Sequence, residues 1–311
     1  MRRIDFKDFQ DIVKREIRDY LPDDFRDAEV ELKRMEKLGS SYNALAVTKD
    51  GDGAYPVVNL DQFYKDYLHG STLTECMLSM AETIQEGHKE FDVTWLNDYE
   101  KVKEHLFIRV SNAEKNSELL EKVPHRTVDD LAITCHMEVS LEKGTLASAI
   151  ITNKIMEMYG VTKEQLLNDS IENSVKLMPV TIRNLGEVIG EYVDETSVQR
   201  RSQAYVISNK TSLNGAASIF YPEVLDDLSR KVGGDLLIAP SSIHEVIALP
   251  ATDETDLSSL EETVRFINRT QVSEGEQLGD HLYKYDARTH SLESVWSDSL
   301  SNTYSNQAFV M

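Results

Sequence analysis

The sequence predicts an α+β fold: a mixed, largely antiparallel sheet with amphipathic helices packed on it. Three observations carry that expectation. Apolar and mostly polar residues alternate along Leu131–Leu141, and shorter apolar runs pair off around turn residues. Amphipathic segments with recognisable helix caps lie between these runs. The strands also come in hairpins rather than as a strand–helix–strand series, which argues against a doubly wound parallel sheet.

In chain order, Phe6, Phe9, Val13, Ile17 and Tyr20 recur at helical spacing until Pro22 and its aspartates end the helix. Strands are expected near Glu29–Met35 and Ala44–Thr48, with Asp50-Gly51-Asp52-Gly53 as a turn. Asn59 caps a helix whose face is Leu60, Phe63, Tyr64, Tyr67 and Leu68, and Gly70 breaks it. The aromatic residues of that face read as core, with a ligand groove as the alternative. Thr72 and Glu75 form a capping box ahead of Leu73, Met77, Met80 and Ile84. Leu131–Leu141 is the clearest strand, and Lys143-Gly144 turns it into a second strand at Leu146–Ile151. Thr162 with Gln165 is another capping box, and Val161 with Leu166 fits a hydrophobic staple.

The C-terminal third repeats this grammar. Tyr205–Asn209 and Ala216–Phe220 are expected strands, and Pro222 suits a first helical turn. Val224, Leu225, Leu228 and Val232 form the stripe of that helix, which Gly233 stops. Leu236–Ala239 and Ile243–Leu249 are expected strands joined by Pro240-Ser241-Ser242. Leu257, Leu260, Val264 and Ile267 mark a further helix, and a last hairpin turns near Ala287–Thr289. A soft boundary near Asp194 gives two α+β regions, 1–194 and 195–296, or a single domain; residues 297–311 read as a frayed tail. The similar tetrapeptides at 151–154 and 207–210 read as chance rather than duplication.

Composition excludes several functions. Against 54 Asp+Glu stand 33 Lys+Arg, a net charge of −21. Such a chain repels phosphate backbones and anionic membranes, so nucleic-acid binding through a basic surface is not expected. The charge serves solubility and suits a basic protein partner. The N-terminus lacks the apolar run of a secretion signal, and no run approaches the roughly 20 residues of a membrane helix. Cys76 and Cys135 are the only cysteines, so no disulfide framework is expected, and the compartment expected is the cytoplasm. The sequons at Asn168, Asn209 and Asn268 are then chance matches.

Motifs for zinc proteases, paired CxxC sites, phosphate-binding loops, nucleophile elbows and EF-hands are absent from the sequence. No cofactor is implied. The candidate catalytic residues are Ser241, Ser242 and His244. As a strand, Ile243–Leu249 places His244 and Glu245 on opposite faces, so an acid for His244 must come from elsewhere. His136 and Glu138 share the polar face of the 131–141 strand and are the candidate metal ligands. Two ligands alone do not make a structural site. Cys135 faces the other side and reads as a small buried hydrophobe, and His281 and His290 read as surface residues flanking the last hairpin.

The stretch ISNKTSLNGAASIFYPEVLDDLSRKVGGDLLIAPSSIHEVIALP resembles an uncharacterised family of gut Firmicutes, a domain of unknown function. YPVVNLDQFYKDYLHGSTLTE and ITNKIMEMYGVTKEQLLNDS fit the same family, so the resemblance covers most of residues 1–290. The helix–strand–Pro–strand layout is more distantly similar to another uncharacterised cytoplasmic family of Firmicutes. The resemblance implies a bacterial, intracellular protein and transfers no site residue. The preferred functional expectation is a non-enzymatic binding or accessory protein engaging another protein. The alternatives are a small hydrolase centred on His244 with Ser241 or Ser242, and an acidic nucleic-acid mimic or inhibitor.

Overall fold

The computed structural model describes residues 3–49, 57–88, 94–142, 145–189, 203–253 and 255–295. The chain is α+β and divides into two compact units, residues 1–97 and 98–311. The Asp50–Gly53 and Lys143-Gly144 turns, the join near Asp194 and the tail from 297 lie outside the described residues.

The first unit opens with α1 (Phe6–Glu16), capped by the Asp5 side chain on Asp8 N–H. A 3-10 turn continues it to Tyr20. Strands β1 (Glu29–Lys37), β2 (Ser40–Thr48) and β3 (Val57–Asn59) form an antiparallel sheet in that order. Helices α2 (Leu60–His69) and α3 (Leu73–Gly87) follow. The Thr72–Glu75 capping box is present in full, each side chain meeting the other residue's backbone N–H. The core joins Phe9, Val13 and Ile17 to Leu45, Val58, Met77, Met80 and Ile84, all with their side chains out of solvent. Phe63, Tyr64 and Tyr67 pack against it, with Tyr64 touching Phe6 and Phe9, so the aromatic face of α2 is core.

The second unit holds two sheets. Strands β4 (Leu106–Asn112), β5 (His125–Val128), β6 (Leu131–Glu142) and β7 (Thr145–Ile150) build one, with the short helices α4 (Tyr99–Val102) and α5 (Ser117–Leu120) beside it in sequence. β6 pairs with all three other strands, which is why it carries the longest alternating pattern. Helices α6 (Asn153–Tyr159) and α7 (Lys163–Leu177) follow. Ser174 of α7 donates back to its own helix and accepts from Ile108 N–H. Asn173 caps the carbonyls of Glu104 and Leu106. These bonds fix α7 on β4. The polar face of β6 is not open to solvent: Thr134 is 0% and His136 3% exposed. A strand paired on both edges and covered on both faces buries its polar residues too, and they then pair with one another.

The other sheet runs β13-β12-β10-β11-β9-β8, all antiparallel. Its strands are β8 (Val180–Asn184), β9 (Tyr205–Asn209), β10 (Leu236–Ser242), β11 (Glu245–Pro250), β12 (Leu282–Asp286) and β13 (Ser291–Val295). Helices α8 (Leu185–Ile189), α9 (Val224–Val232) and α10 (Leu257–Gln271) also belong to this unit. α10 packs Val264, Leu257 and Leu260 on Ala239, Ile247 and Leu282 of the sheet.

Three local expectations change. Gly215–Phe220 is a 3-10 helix, not a strand, and its small residues Gly215, Ala216, Ala217 and Ser218 are all buried. Small side chains let backbone lie against backbone, which an alternation count does not register. Pro222 precedes α9 rather than opening it, because Glu223 turns the chain with φ +64 as the N-cap. Pro240–Ser242 belong to β10, with a bulge between Pro240 and Ser242, and the hairpin turns at Ile243-His244. A bulge tolerates the proline that a regular ladder would reject. Asn209 and Asn268, from the sequons, are buried.

Candidate functional site

His244 lies in the turn between β10 and β11, and the turn is braced from four directions. Ile243 N–H donates to Glu276 O at 2.9 Å, and Ala216 N–H donates to Ile243 O at 3.1 Å. Ser208 Oγ donates to His244 O at 2.8 Å, and His244 N–H donates to Ser242 Oγ at 3.0 Å. On the ring, Nδ1 accepts from Asn214 N–H at 3.2 Å. An imidazole nitrogen that accepts carries no proton, so the neutral ring has its proton on Nε2, facing Glu276 Oε1 at 3.3 Å. Glu276 is held below the ordinary carboxylate value by the Ser273 hydroxyl on Oε2 and, against the opposing effect of burial, by His244.

The structure thus supplies His244 with an acid, Glu276, from 32 residues downstream. A nucleophilic triad needs a hydroxyl on the remaining ring nitrogen, and that place is taken by the Asn214 backbone. Ser242 meets the His244 backbone rather than its ring, and Ser241 is the extra residue of the bulge. The arrangement ties the loop 209–215 to the hairpin. Asn214 takes φ +54, and a Cβ on Gly215 would stand 2.3 Å from Ser208 Oγ and 2.6 Å from His244 O. Only glycine fits there.

The opposite end of the same sheet has a different character. There a cavity of about 520 Å³ opens along α9, lined by Glu223, Asp226, Ser229, Arg230, Gly233, Gly234, Ala287 and His290. The helical members recur at intervals of three to four, which places them on one face. Tyr285 OH donates to Asp226 Oδ1, and His290 Nδ1 lies 2.5 Å from the same oxygen. These two bonds keep the Asp226 carboxyl below its ordinary range. Arg230 is drawn to Asp227 by an ion pair, which leaves Glu223 and Asp226 as the carboxylates of the lining. Gly233 and Gly234 have open space where a Cβ would stand, so the helix end does not close the cavity. Glu223 and His290 both hold φ near +60, a conformation that costs a non-glycine residue about 1 kcal/mol or more.

A third cluster joins the two sheets of this unit. Tyr283 OH donates to Asp130 Oδ1 at 2.5 Å, His281 Nε2 lies 3.5 Å from that oxygen, and Asn112 Nδ2 bridges Asp130 and Leu278 O. Burial would raise the Asp130 carboxyl, but the bonds from His281 and Tyr283 outweigh it and lower it. Burial and the Asp130 carboxylate together push the Tyr283 phenol well up. Buried Tyr283, Asn112 and His281 gathered around half-buried Asp130 in this way tie the two sheets together. His281 is therefore buried rather than at the surface.

His136 and Glu138 do share one face of β6. His136 is buried against Phe107 and shares a hydrogen bond with Thr134 at 3.0 Å, while Glu138 is half-buried. Among the described residues, no three His, Cys, Asp or Glu side chains are grouped to hold a metal ion. Cys135 is buried, and burial pushes its thiol up to about 12. Glu276, Asp226 and Tyr285 were not legible as site residues, because each meets its partner through the tertiary fold. The left-handed turn at Asn214-Gly215 is the one feature with a local signal, an Asn-Gly pair.

Fold and sites together define an α+β protein whose polar clusters brace loops and, along α9, border an open cavity with two carboxylates in its lining. The chain belongs to a family of unknown function, DUF5688, whose model matches residues 6–287. No curated protein and no solved structure matches it. Among the described residues, no helix is long and apolar enough to cross a membrane.

Proposed function

We propose that the protein is a non-enzymatic accessory protein of the bacterial cytoplasm that engages a basic protein partner. On this reading, the cavity along α9 receives a cationic side chain of that partner. The observation that carries the proposal is the pairing of an open cavity of about 520 Å³ with a carboxylate, Asp226, that two neighbours hold ionised. A carboxylate already oriented by Tyr285 and His290 spends one oxygen on them and presents the other to an incoming ammonium or guanidinium. The overall charge of −21 favours encounter with a basic partner at low salt.

Titration with short arginine- and lysine-bearing peptides, followed by backbone NMR, tests this. The expected result is a set of saturable shifts at residues 223–234 and 285–290, weakened by salt and lost in Asp226→Asn combined with Glu223→Gln. A neutral citrulline peptide serves as control. Equal shifts with that peptide, or none with the cationic ones, would remove the reading.

A further inference from the structure

We propose that Arg109, on the polar face of the β4–β6–β7 sheet, is the anchor of a binding site for a small oxyanion, a carboxylate or phosphoryl group. The site stands apart from the α9 cavity and has the opposite charge preference.

The register builds it. Arg109 of β4 lies opposite Thr134 of β6, and Phe107 lies opposite His136. On the other edge of β6, Glu138 faces Ser148 of β7. Directly opposed residues and those two apart share a face, so Ser111, Arg109, Thr134, His136 and Ser148 all project to one side. The Arg109 guanidinium reaches across to Ser148, with Nη2 donating to Oγ at 2.6 Å, and its carbon lies 5.4 Å from the Phe107 ring centre.

No carboxylate among the described residues makes an ion pair with this guanidinium, and Glu138, the acid on this face, does not reach it. Its Nε is buried with no hydrogen-bond partner, and so is the hydroxyl of Ser111, one step along the face. Burial lowers the Arg109 guanidinium to about 10, and it remains charged at neutral pH. Buried charges in folded proteins are normally paired, because removing a charge from water without a partner is unfavourable. In a chain with 54 acidic residues, an arginine taken out of water beside serine and threonine hydroxyls, with no acid among the described residues paired to it, is an unusual arrangement. The neighbouring histidine adds no second positive charge, since burial and the nearby guanidinium both keep His136 neutral, so Arg109 is the cation of the site. Guanidinium and hydroxyl donors on one face form the donor set that oxyanions take, with a fork able to bind two oxygens at once. Exposure grades from buried Thr134 and His136 to half-buried Arg109, Glu138 and Ser148, so the anion enters from the Ser148 side. Glu138 on that side disfavours polyanions and favours a single oxyanion group.

The test uses the full chain and the nitrogen-15 resonance of the Arg109 Nε–H, assigned through bonds from the Arg109 backbone. Inorganic phosphate and acetate are titrated separately at ionic strength fixed with chloride. The expected result is a saturable shift of this resonance by at least one of them, and the tighter of the two assigns the phosphoryl or the carboxylate class. Arg109→Lys keeps the charge but loses the fork, and is expected to bind at least about tenfold more weakly. In Arg109→Met, checked for folding by its urea midpoint, saturable shifts of the β6 and β7 amides should vanish. No saturable shift in the wild type up to about 10 mM of either anion would overturn the proposal. So would equal affinity in a folded Arg109→Met variant.

Discussion

The six-stranded sheet of the second unit carries a histidine–carboxylate pair at each end, and the two are built for different tasks. His244 faces Glu276 at 3.3 Å in the β10–β11 turn, and His290 faces Asp226 at 2.5 Å in the β12–β13 turn. At the first, the other ring nitrogen holds a backbone N–H, and the loop beneath is packed so closely that Gly215 has no room for a Cβ. At the second, the lining glycines face open space, and the carboxylate shares its oxygen between a phenol and the imidazole. The same two residue types brace a loop in one place and edge a cavity in the other. The pair alone therefore defines no chemistry; what the second nitrogen and the second oxygen meet decides it.

Substitutions can break or sharpen this contrast. Gly215→Ala should have the largest effect, a loss of about 3 kcal/mol in urea unfolding, since backbone and Ser208 must both move. His244→Ala should cost about 1 kcal/mol by stranding the Asn214 N–H. Glu276→Gln should lower stability at neutral pH, and the difference from wild type should vanish at acid pH. The folded-state carboxyl lies below its ordinary value of 4.5, so its contribution is complete above that value and is lost as pH falls through the depressed one. Comparing wild type and variant midpoints between pH 6 and 3 reads this difference, which is small because the group is 44% exposed. His290→Ala should change the urea midpoint least, the side chain being 65% exposed, while weakening the response to cationic peptides. If His290→Ala costs as much stability as His244→Ala, the two turns are alike and the contrast fails.

Much of the architecture was legible because it rests on local signals. The Thr72–Glu75 box, the stripe of α9 ending at Gly233 and the β12–β13 hairpin need only side chains a few positions apart. β4 and β5 are absent from the expected elements, since Leu106–Asn112 shows no alternation when nearly all of it is buried. Ala216–Phe220 misled because tight backbone packing selects small residues whatever the secondary structure. The sites were less legible still. His244 stood out in the sequence, but Glu276, Asn214 and Ser208 reach it only through strand pairing and loop return. Arg109 drew no attention, since what marks it is that no acid among the described residues pairs with it.

Both thiols of the chain are buried, Cys135 with its thiol pushed to about 12 and Cys76 raised by burial and by the nearby acids Asp66 and Glu75. Alkylating reagents and mild oxidants act on thiolates, of which the folded protein presents almost none at neutral pH. A cysteine introduced at an exposed position, such as Ser258 on α10, would then be the fast-reacting thiol of the molecule. Spin or fluorescent labels could be placed beside the α9 cavity or the Arg109 face without first removing the native cysteines.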